Sequence, residues 1–321
     1  MPNWNDVLQE INSTKNTDTV SGLDTVRRKY LARLAAHTGR TTIAYYSGFL
    51  TKPTEASVFI TDDDINSLML CVHQVSKTNG LDLLLHTPGG EISATESFIH
   101  YLKTIFGNDI RAIVPQIAMS GGAIAACSCK TIIMGKHSNI GPCDPQVSGF
   151  PALAVKEQFK DMYNEIMAQS AAADVFGPML RQLGPSFLKE CDQAIDWADD
   201  FLRQSLEGNM FAGDPDAVAK SRAATDDLTS KNTRGHSKHF YIEDCRRMKL
   251  KVEALESDPV LQDLVLTVHH CYMHTLANTA AAKAVENHKG QGQFRNITSG
   301  FAMPLLNFGG PAPGSGKARN R

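Results

Sequence analysis

Between residues 41 and 135 the chain alternates short apolar runs with helical patterns, and this alternation constrains the fold more than any other feature. The run Thr41-Thr-Ile-Ala-Tyr-Tyr-Ser-Gly-Phe49 is rich in β-branched and aromatic residues, as strands are. Leu81-Asp-Leu-Leu-Leu-His86, Asp109-Ile-Arg-Ala-Ile-Val-Pro115 and Lys130-Thr-Ile-Ile-Met-Gly135 are nearly continuous apolar runs, the pattern of strands buried on both faces. Between them, Thr61 to Asp64 offer N-cap chemistry for a helix to about Ser76. Ala94, Phe98, Leu102 and Ile105 share one face of a helix over Ser93 to Phe106, and small residues fill a helix from Ser120 to Cys127. Strands alternating with helices predict parallel pairing through right-handed crossovers.

The flanks differ. Residues 1–40 read as a helical arm, with Leu23, Val26, Tyr30 and Leu34 on one face among Arg27, Arg28, Lys29 and Arg33. Residues 41–150 form the α/β part. Residues 151–290 read as mainly helical, with helices expected over Asp161 to Ala172, Phe187 to Glu207 and Asp258 to Glu286. From Gln291 the pattern weakens, and residues 291–321 end in a Gly/Pro-rich basic tail, GGPAPGSGKARNR, with a disordered composition.

Charge and composition exclude several classes. Lys+Arg number 32 against 34 Asp+Glu, a formal net charge of −2, which is not the balance of a dedicated nucleic-acid binder. The best candidate for a membrane span, the uncharged stretch Ala112 to Cys129, contains Pro115, Gln116, Ser120, Gly121 and Gly122, so a strand, a turn and a buried helix fit it better; the longer uncharged stretch Asn296 to Gly316 is too rich in Gly and Pro. The start MPNWNDVLQEINSTKN lacks the basic and apolar regions of a secretory signal. The seven cysteines are few and odd in number, which fits reduced thiols and a cytoplasmic location. No Gly-x-x-x-x-Gly-Lys-Ser/Thr phosphate loop and no metal-ligand spacing is present, so neither a cofactor nor a metal is expected. His269, His270, Cys271 and His274 read as helical residues with satisfied rings, and His236, Lys238 and His239 as a polar cluster.

Two glycine turns carry the chemistry. His86-Thr-Pro-Gly-Gly-Glu91 follows one buried strand, and Gly89 and Gly90 let backbone N–H groups face a ligand. Ala118-Met-Ser-Gly-Gly-Ala-Ile-Ala125 follows another and opens a helix with Ser120 at the turn. Both turns end neighbouring βα units, so both belong at the carboxyl edge of one sheet, where open α/β sheets bind ligands. A serine there can attack a carbonyl, with the Gly90 and Gly121 N–H groups holding the oxyanion.

The run LLLHTPGGEISATESFIHYLK…DIRAIVPQIAMSGGAIAACSCKTIIMGKHSNIGPCDPQ resembles the Clp/crotonase fold. Within that fold the chain resembles the serine dehydrogenase proteinase family, related to the signal peptide peptidase A group of serine peptidases. The resemblance is close from about Ile43 to Gln146 and looser on both sides. It implies a spiral of βα units with an appended helical region, a peptidase with Ser120 as nucleophile, a protein or peptide substrate, and a homo-oligomer.

The resemblance also frames the search for a base. Laying SNIGPCDP on the segment that carries the Clp histidine puts Cys143 or Asp144 in its place, and His137 comes too early. The signal-peptide-peptidase-like relatives use a lysine that opens a helix, which implies Lys156 in Pro151-Ala-Leu-Ala-Val-Lys-Glu, with Lys160 and His137 as alternatives. Two rival functions share the fold: a crotonase-type acyl-CoA enzyme, and an inactive scaffold working with partner proteins.

Overall fold

The computed structural model describes residues 4–17, 20–181, 183–229 and 238–297; the expected disordered tail, apart from its first residues, and His236 lie outside them. Two helices, α1 (Trp4–Ser13) and α2 (Gly22–Thr38), occupy the N-terminal segment, and Leu31 and Leu34 of α2 are buried against the sheet. The Ser21 hydroxyl accepts from the Asp24 N–H to start α2, and Gly39 ends it at φ 67°.

The α/β series then runs β1 (Thr41–Ser47), α3 (Asp64–Val72), β2 (Leu81–His86), α4 (Ile92–Phe106), β3 (Ile110–Val114), a short β4 (Ile117–Ala118), α5 (Gly121–Cys127) and β5 (Thr131–Met134). Short strands β6 (Asn139–Ile140), β7 (Gln146–Val147) and β8 (Phe150–Pro151) lead to α6 (Ala152–Ala168), α7 (Ala172–Leu180), α8 (Phe187–Ser205) and α9 (Ala217–Leu228). The chain closes with α10 (Ile242–Arg247), β9 (Val252–Ala254), α11 (Pro259–Asn278), β10 (Ala281–Asn287) and β11 (Gly292–Asn296).

One seven-stranded sheet, ordered β11-β10-β1-β2-β3-β5-β9, organises the molecule. The five strands from β1 to β9 pair in parallel, as the βα alternation predicts; β10 and β11 add an antiparallel edge. Strand periodicity sends Tyr45, Leu83, Leu85, Ala112, Val114 and Ile132 to one face, covered by α3, α4, α5 and residues of α8 and α9. Ala44, Tyr46, Leu84, Ile113 and Ile133 go to the other face, under α2 and α11. The result is a three-layer α/β/α arrangement.

Three expectations change. The helix expected to run to Glu286 stops at Asn278, and Ala281–Asn287 is a strand against β1. Pairing decides this, because β1 would otherwise expose a fully buried hydrophobic strand as an edge. The sheet takes three strands from beyond residue 250, so its elements are not confined to residues 41–150. The helix expected from Asp161 starts at Ala152, nine residues earlier. A buried ion pair ties the arm to the new edge: Arg27 Nε donates to Glu286 Oε2 at 2.7 Å, and Arg28 Nε to Oε1 at 2.7 Å.

Candidate active site

The parallel strands end in the two glycine turns, and backbone bonds bring the turns together. The Thr87 N–H donates to Ile117 O (3.1 Å), and the Met119 N–H returns to Thr87 O (3.0 Å). This short bridge extends the β2 side of the sheet into the segment that leads to Ser120. Gly89 sits at φ 94°, and a Cβ there would stand 2.6 Å from Met119 O, so only glycine fits the contact.

Ser120 lies on the strand-to-helix turn at φ 49°, ψ −121°. A non-glycine residue with positive φ costs of order 1–3 kcal/mol and persists only where its surroundings enforce it. Here the surroundings are the helix start: Ser120 O accepts from the N–H groups of Ala123 (2.8 Å) and Ile124 (3.0 Å). The side chain makes no capping bond, so the simple role of Ser120 as an N-cap is not used.

The Gly90 and Gly121 N–H groups stand beside each other, since a Cβ on Gly121 would lie 3.3 Å from Gly90 N. Ile60 forms a parallel bridge to Gly90: its N–H donates to Gly89 O (2.8 Å), and its carbonyl accepts from the Glu91 N–H (3.2 Å). Both bonds go to the flanking residues, which leaves the N–H of Gly90 itself outside the bridge.

A cleft of about 440 Å³ opens over this constellation. Its walls include Phe59, Ile60, Pro88, Gly90, Ile92, Ser120 and Ile124, with Glu91, Cys143 and Asp144 among the polar members. Cys143 and Asp144, the two residues at the place of the Clp histidine, therefore do reach the cleft. Burial pushes the Cys143 thiol far up, so it is no thiolate nucleophile.

The three candidate bases lie elsewhere. Lys156 sits on the exposed side of α6, its Nζ 2.6 Å from Asp192 Oδ1 of α8. The structure does not bring Lys156 and Ser120 together. Lys160, one turn further, is exposed. His137 Nε2 lies 2.9 Å from Pro115 O. None of the three lines the cleft.

Two buried clusters that flank the site were not foreseen. On the α11 face, His86, immediately before the first turn, packs on Tyr46 (5.5 Å between ring centroids), Phe49 (5.0 Å) and His269 (5.3 Å). Both His86 nitrogens, His269 Nδ1, His270 Nδ1 and Tyr46 Oη lack hydrogen-bond partners among the described residues; of the rings expected to be satisfied, His274 meets Trp4 O at 3.2 Å, while His269 and His270 each leave Nδ1 without one. Burial drives the His86 pKa down to about 3. On the α3 face, Lys283 Nζ is buried between Asp64 Oδ1 (2.9 Å) and Phe59 O (2.5 Å). The sequence signal for Lys283 was faint: one charged residue at an inward position of an unrecognised strand.

No group of three or more His, Cys, Asp or Glu among the described residues forms a metal site. No helix among them is long and apolar enough to cross a membrane.

Comparison with known proteins decides the family. Residues 23–180 match the ClpP-like SDH-type serine proteinases. This part of the chain belongs to that family. The family region contains both glycine turns, Ser120, the cleft walls and Lys156. Two uncharacterized proteins of Methanocaldococcus jannaschii are similar over shorter stretches. One is 36% identical over 97 residues, covering 30% of this chain and 34% of the relative. The other is 35% identical over 101 residues, covering 32% of this chain and 34% of the relative. The matched stretch thus spans about a third of the length of each of these two relatives.

Proposed function

We propose that the chain is a serine peptidase in which Ser120 attacks the carbonyl of a bound peptide and the Gly90 and Gly121 N–H groups hold the resulting oxyanion. One observation carries this reading: a serine at positive φ, with no capping bond, lines a cleft beside two N–H groups that have no protein acceptor among the described residues. Membership in a serine proteinase family supports the same chemistry. In the tetrahedral intermediate the carbonyl oxygen takes the negative charge, and preformed N–H donors stabilise it with little reorganisation. Collapse expels the amine, and water then releases the acyl group from Ser120.

Ser120 must lose its proton as it attacks. Lys156 is the proposed acceptor, with Lys160 and His137 as reserves. Lys156 serves once its ion pair with Asp192 opens, the ammonium gives its proton to solvent and α6 carries the neutral amine to the cleft; the proton it then takes from Ser120 passes to the leaving amine. We further propose a Clp/crotonase-type spiral, a cytoplasmic location and a homo-oligomer built largely on residues after 150.

Labelling by a fluorophosphonate probe tests the proposal. The wild-type chain is expected to label, and Ser120→Ala to label at background while keeping its circular dichroism spectrum. Absence of labelling, with thioester turnover instead, would favour a crotonase-type acyl-CoA enzyme. Absence of both would favour a scaffold, the reading to which the paired, exposed Lys156 lends most weight.

A further inference from the structure

The segment Phe59–Thr61 forms one wall of the cleft, and from Val58 to Thr61 each successive residue is held by a hydrogen bond to the sheet, α3 or the first glycine turn. The Ser47 hydroxyl donates to Val58 O at 2.6 Å. The Lys283 ammonium donates to Phe59 O at 2.5 Å. Ile60 carries the bridge to Gly89 and Glu91. The Thr61 N–H donates to Asp64 Oδ2 at 3.1 Å. Lys283 and Asp64 are each about 1% exposed, and Tyr45 Oη donates to Asp64 Oδ2 at 2.7 Å.

A buried ammonium is costly unless paired, and a core of this kind is filled more cheaply by apolar side chains. Lys283 spans the gap between a carboxylate of α3 and a carbonyl of the cleft wall. Its three donors match this surrounding: two bonds reach the Asp64 oxygens at 2.9 Å, and one reaches Phe59 O. A neutral side chain of similar length could fill the volume but could not fix the Phe59 carbonyl. Fixing that carbonyl fixes the neighbouring Ile60 peptide, which in turn fixes Gly89 and Glu91 on either side of Gly90.

We infer that Lys283, together with Asp64, is a positioning residue for the reaction: it locks the Phe59–Ile60 peptide so that the bridge to Gly89 and Glu91 aims the Gly90 N–H at the oxyanion. The inference rests on the peptidase reading of Ser120. A donor displaced from the oxyanion stabilises the transition state less while leaving ground-state binding in the rest of the cleft intact.

The experiment uses the full chain with Lys283→Met and the charge-neutral double variant Asp64→Asn/Lys283→Met, which keeps the fold accessible if the single variant leaves Asp64 uncompensated. With a peptide substrate that the wild type cleaves, kcat is expected to fall about 10- to 100-fold in either folded variant, a part of what loss of a whole oxyanion donor costs. KM is expected to stay within about twofold, and affinity for a peptide boronate that mimics the oxyanion to fall in step with kcat. Amide hydrogen exchange is read in parallel: the Ile60 and Glu91 amides are expected to lose protection at least tenfold, while amides of β2 and β3 keep theirs. Unchanged kcat, or unchanged Ile60 and Glu91 protection in a folded variant, overturns the inference. If the wild type itself shows no hydrolysis and no probe labelling, the peptidase reading has failed, and exchange at Ile60 and Glu91 still decides whether Lys283 holds the wall.

Discussion

Gly89 packs so tightly on Ser120 that a Cβ on Gly89 would stand 2.8 Å from Ser120 Cβ, inside any ordinary contact distance. The two turns are therefore one object, and Ser120 cannot be displaced without displacing the Gly89–Gly90 loop. Gly89→Ala is expected to lose stability by about 3 kcal/mol, since it combines a φ of 94° with overpacking against backbone. It should also lose probe labelling. Chemical denaturation checks the first outcome, and a wild-type midpoint would disprove the tight contact.

Ser120 holds a backbone conformation that is unfavourable for a residue with a Cβ. Ser120→Gly relieves that strain, and the relief exceeds the entropic penalty of glycine by about 1 kcal/mol. Ser120→Gly is expected to melt at a higher temperature than Ser120→Ala, with both inert to the probe. Equal melting temperatures would mean the turn carries no strain.

The histidine cluster makes the fold sensitive to mild acid. Burial holds His86 at about 3 and His269 well below the ordinary range, so both are neutral in the native state. In the unfolded chain each takes a proton near pH 6.5. A folded pKa below the unfolded one means stability is complete above about pH 7 and declines as pH falls from 6.5 toward the folded values. Each histidine contributes a slope of up to about 1.4 kcal/mol per pH unit in that window. Urea unfolding at pH 7.5 and 5.5 is expected to show this loss, and His86→Leu to reduce it, with His270, His274 and His288, also held low by burial, supplying part of the remainder. A pH-independent midpoint in the wild type would refute the burial of neutral rings.

The Lys156–Asp192 ion pair makes opposite predictions for its two members. If Lys156 must leave Asp192 to serve Ser120, Asp192→Asn is expected to raise the labelling rate several-fold. Lys156→Ala is expected to abolish labelling as Ser120→Ala does. The pair is surface-exposed, so neither change should shift stability by more than about 1 kcal/mol. Equal labelling in wild type and both variants removes Lys156 from the mechanism and passes the role to Lys160 or His137.

Helix α7 buries none of its residues although it carries Val175, Phe176, Met179 and Leu180. Together with Tyr163 and Met167 of α6, two of these, Val175 and Met179, are exposed by 58–69%, a patch that self-association would cover. Light scattering is expected to give a mass of at least two chains. Met167→Lys with Val175→Lys and Met179→Lys should shift it toward one. A wild-type monomer at micromolar concentration would count against the oligomer.

The sheet was legible where burial on both faces wrote itself into composition. Leu81-Asp-Leu-Leu-Leu-His86 forms a strand with those same ends. The two turns were legible because glycine pairs and a serine after apolar runs are local signals. Ala281-Ala-Lys-Ala-Val-Glu-Asn287 was not, because its extended form comes from pairing with β1, 240 residues away in sequence, and its alanines suit a helix as well. Lys283 was invisible for a related reason: a lysine becomes a buried anchor only when a partner such as Asp64 meets it, across 219 residues of chain. Lys156 shows the converse. A lysine at a helix start beside Leu153 and Val155 reads the same whether it is buried or exposed, and packing of α6 on α8 gives Lys156 a surface carboxylate.

All seven cysteines are buried and unbridged, and burial raises the thiol pKa of every one of them. The chain thus carries its own set of opening reporters. An alkylating reagent will meet almost no thiolate until some part of the molecule unfastens, and the order in which the seven sites react maps which layer opens first. Cys143 gives this a practical edge at the cleft. Inactivation by such a reagent would record a breach of the wall beside Ser120, and it should not be read as the signature of a cysteine nucleophile.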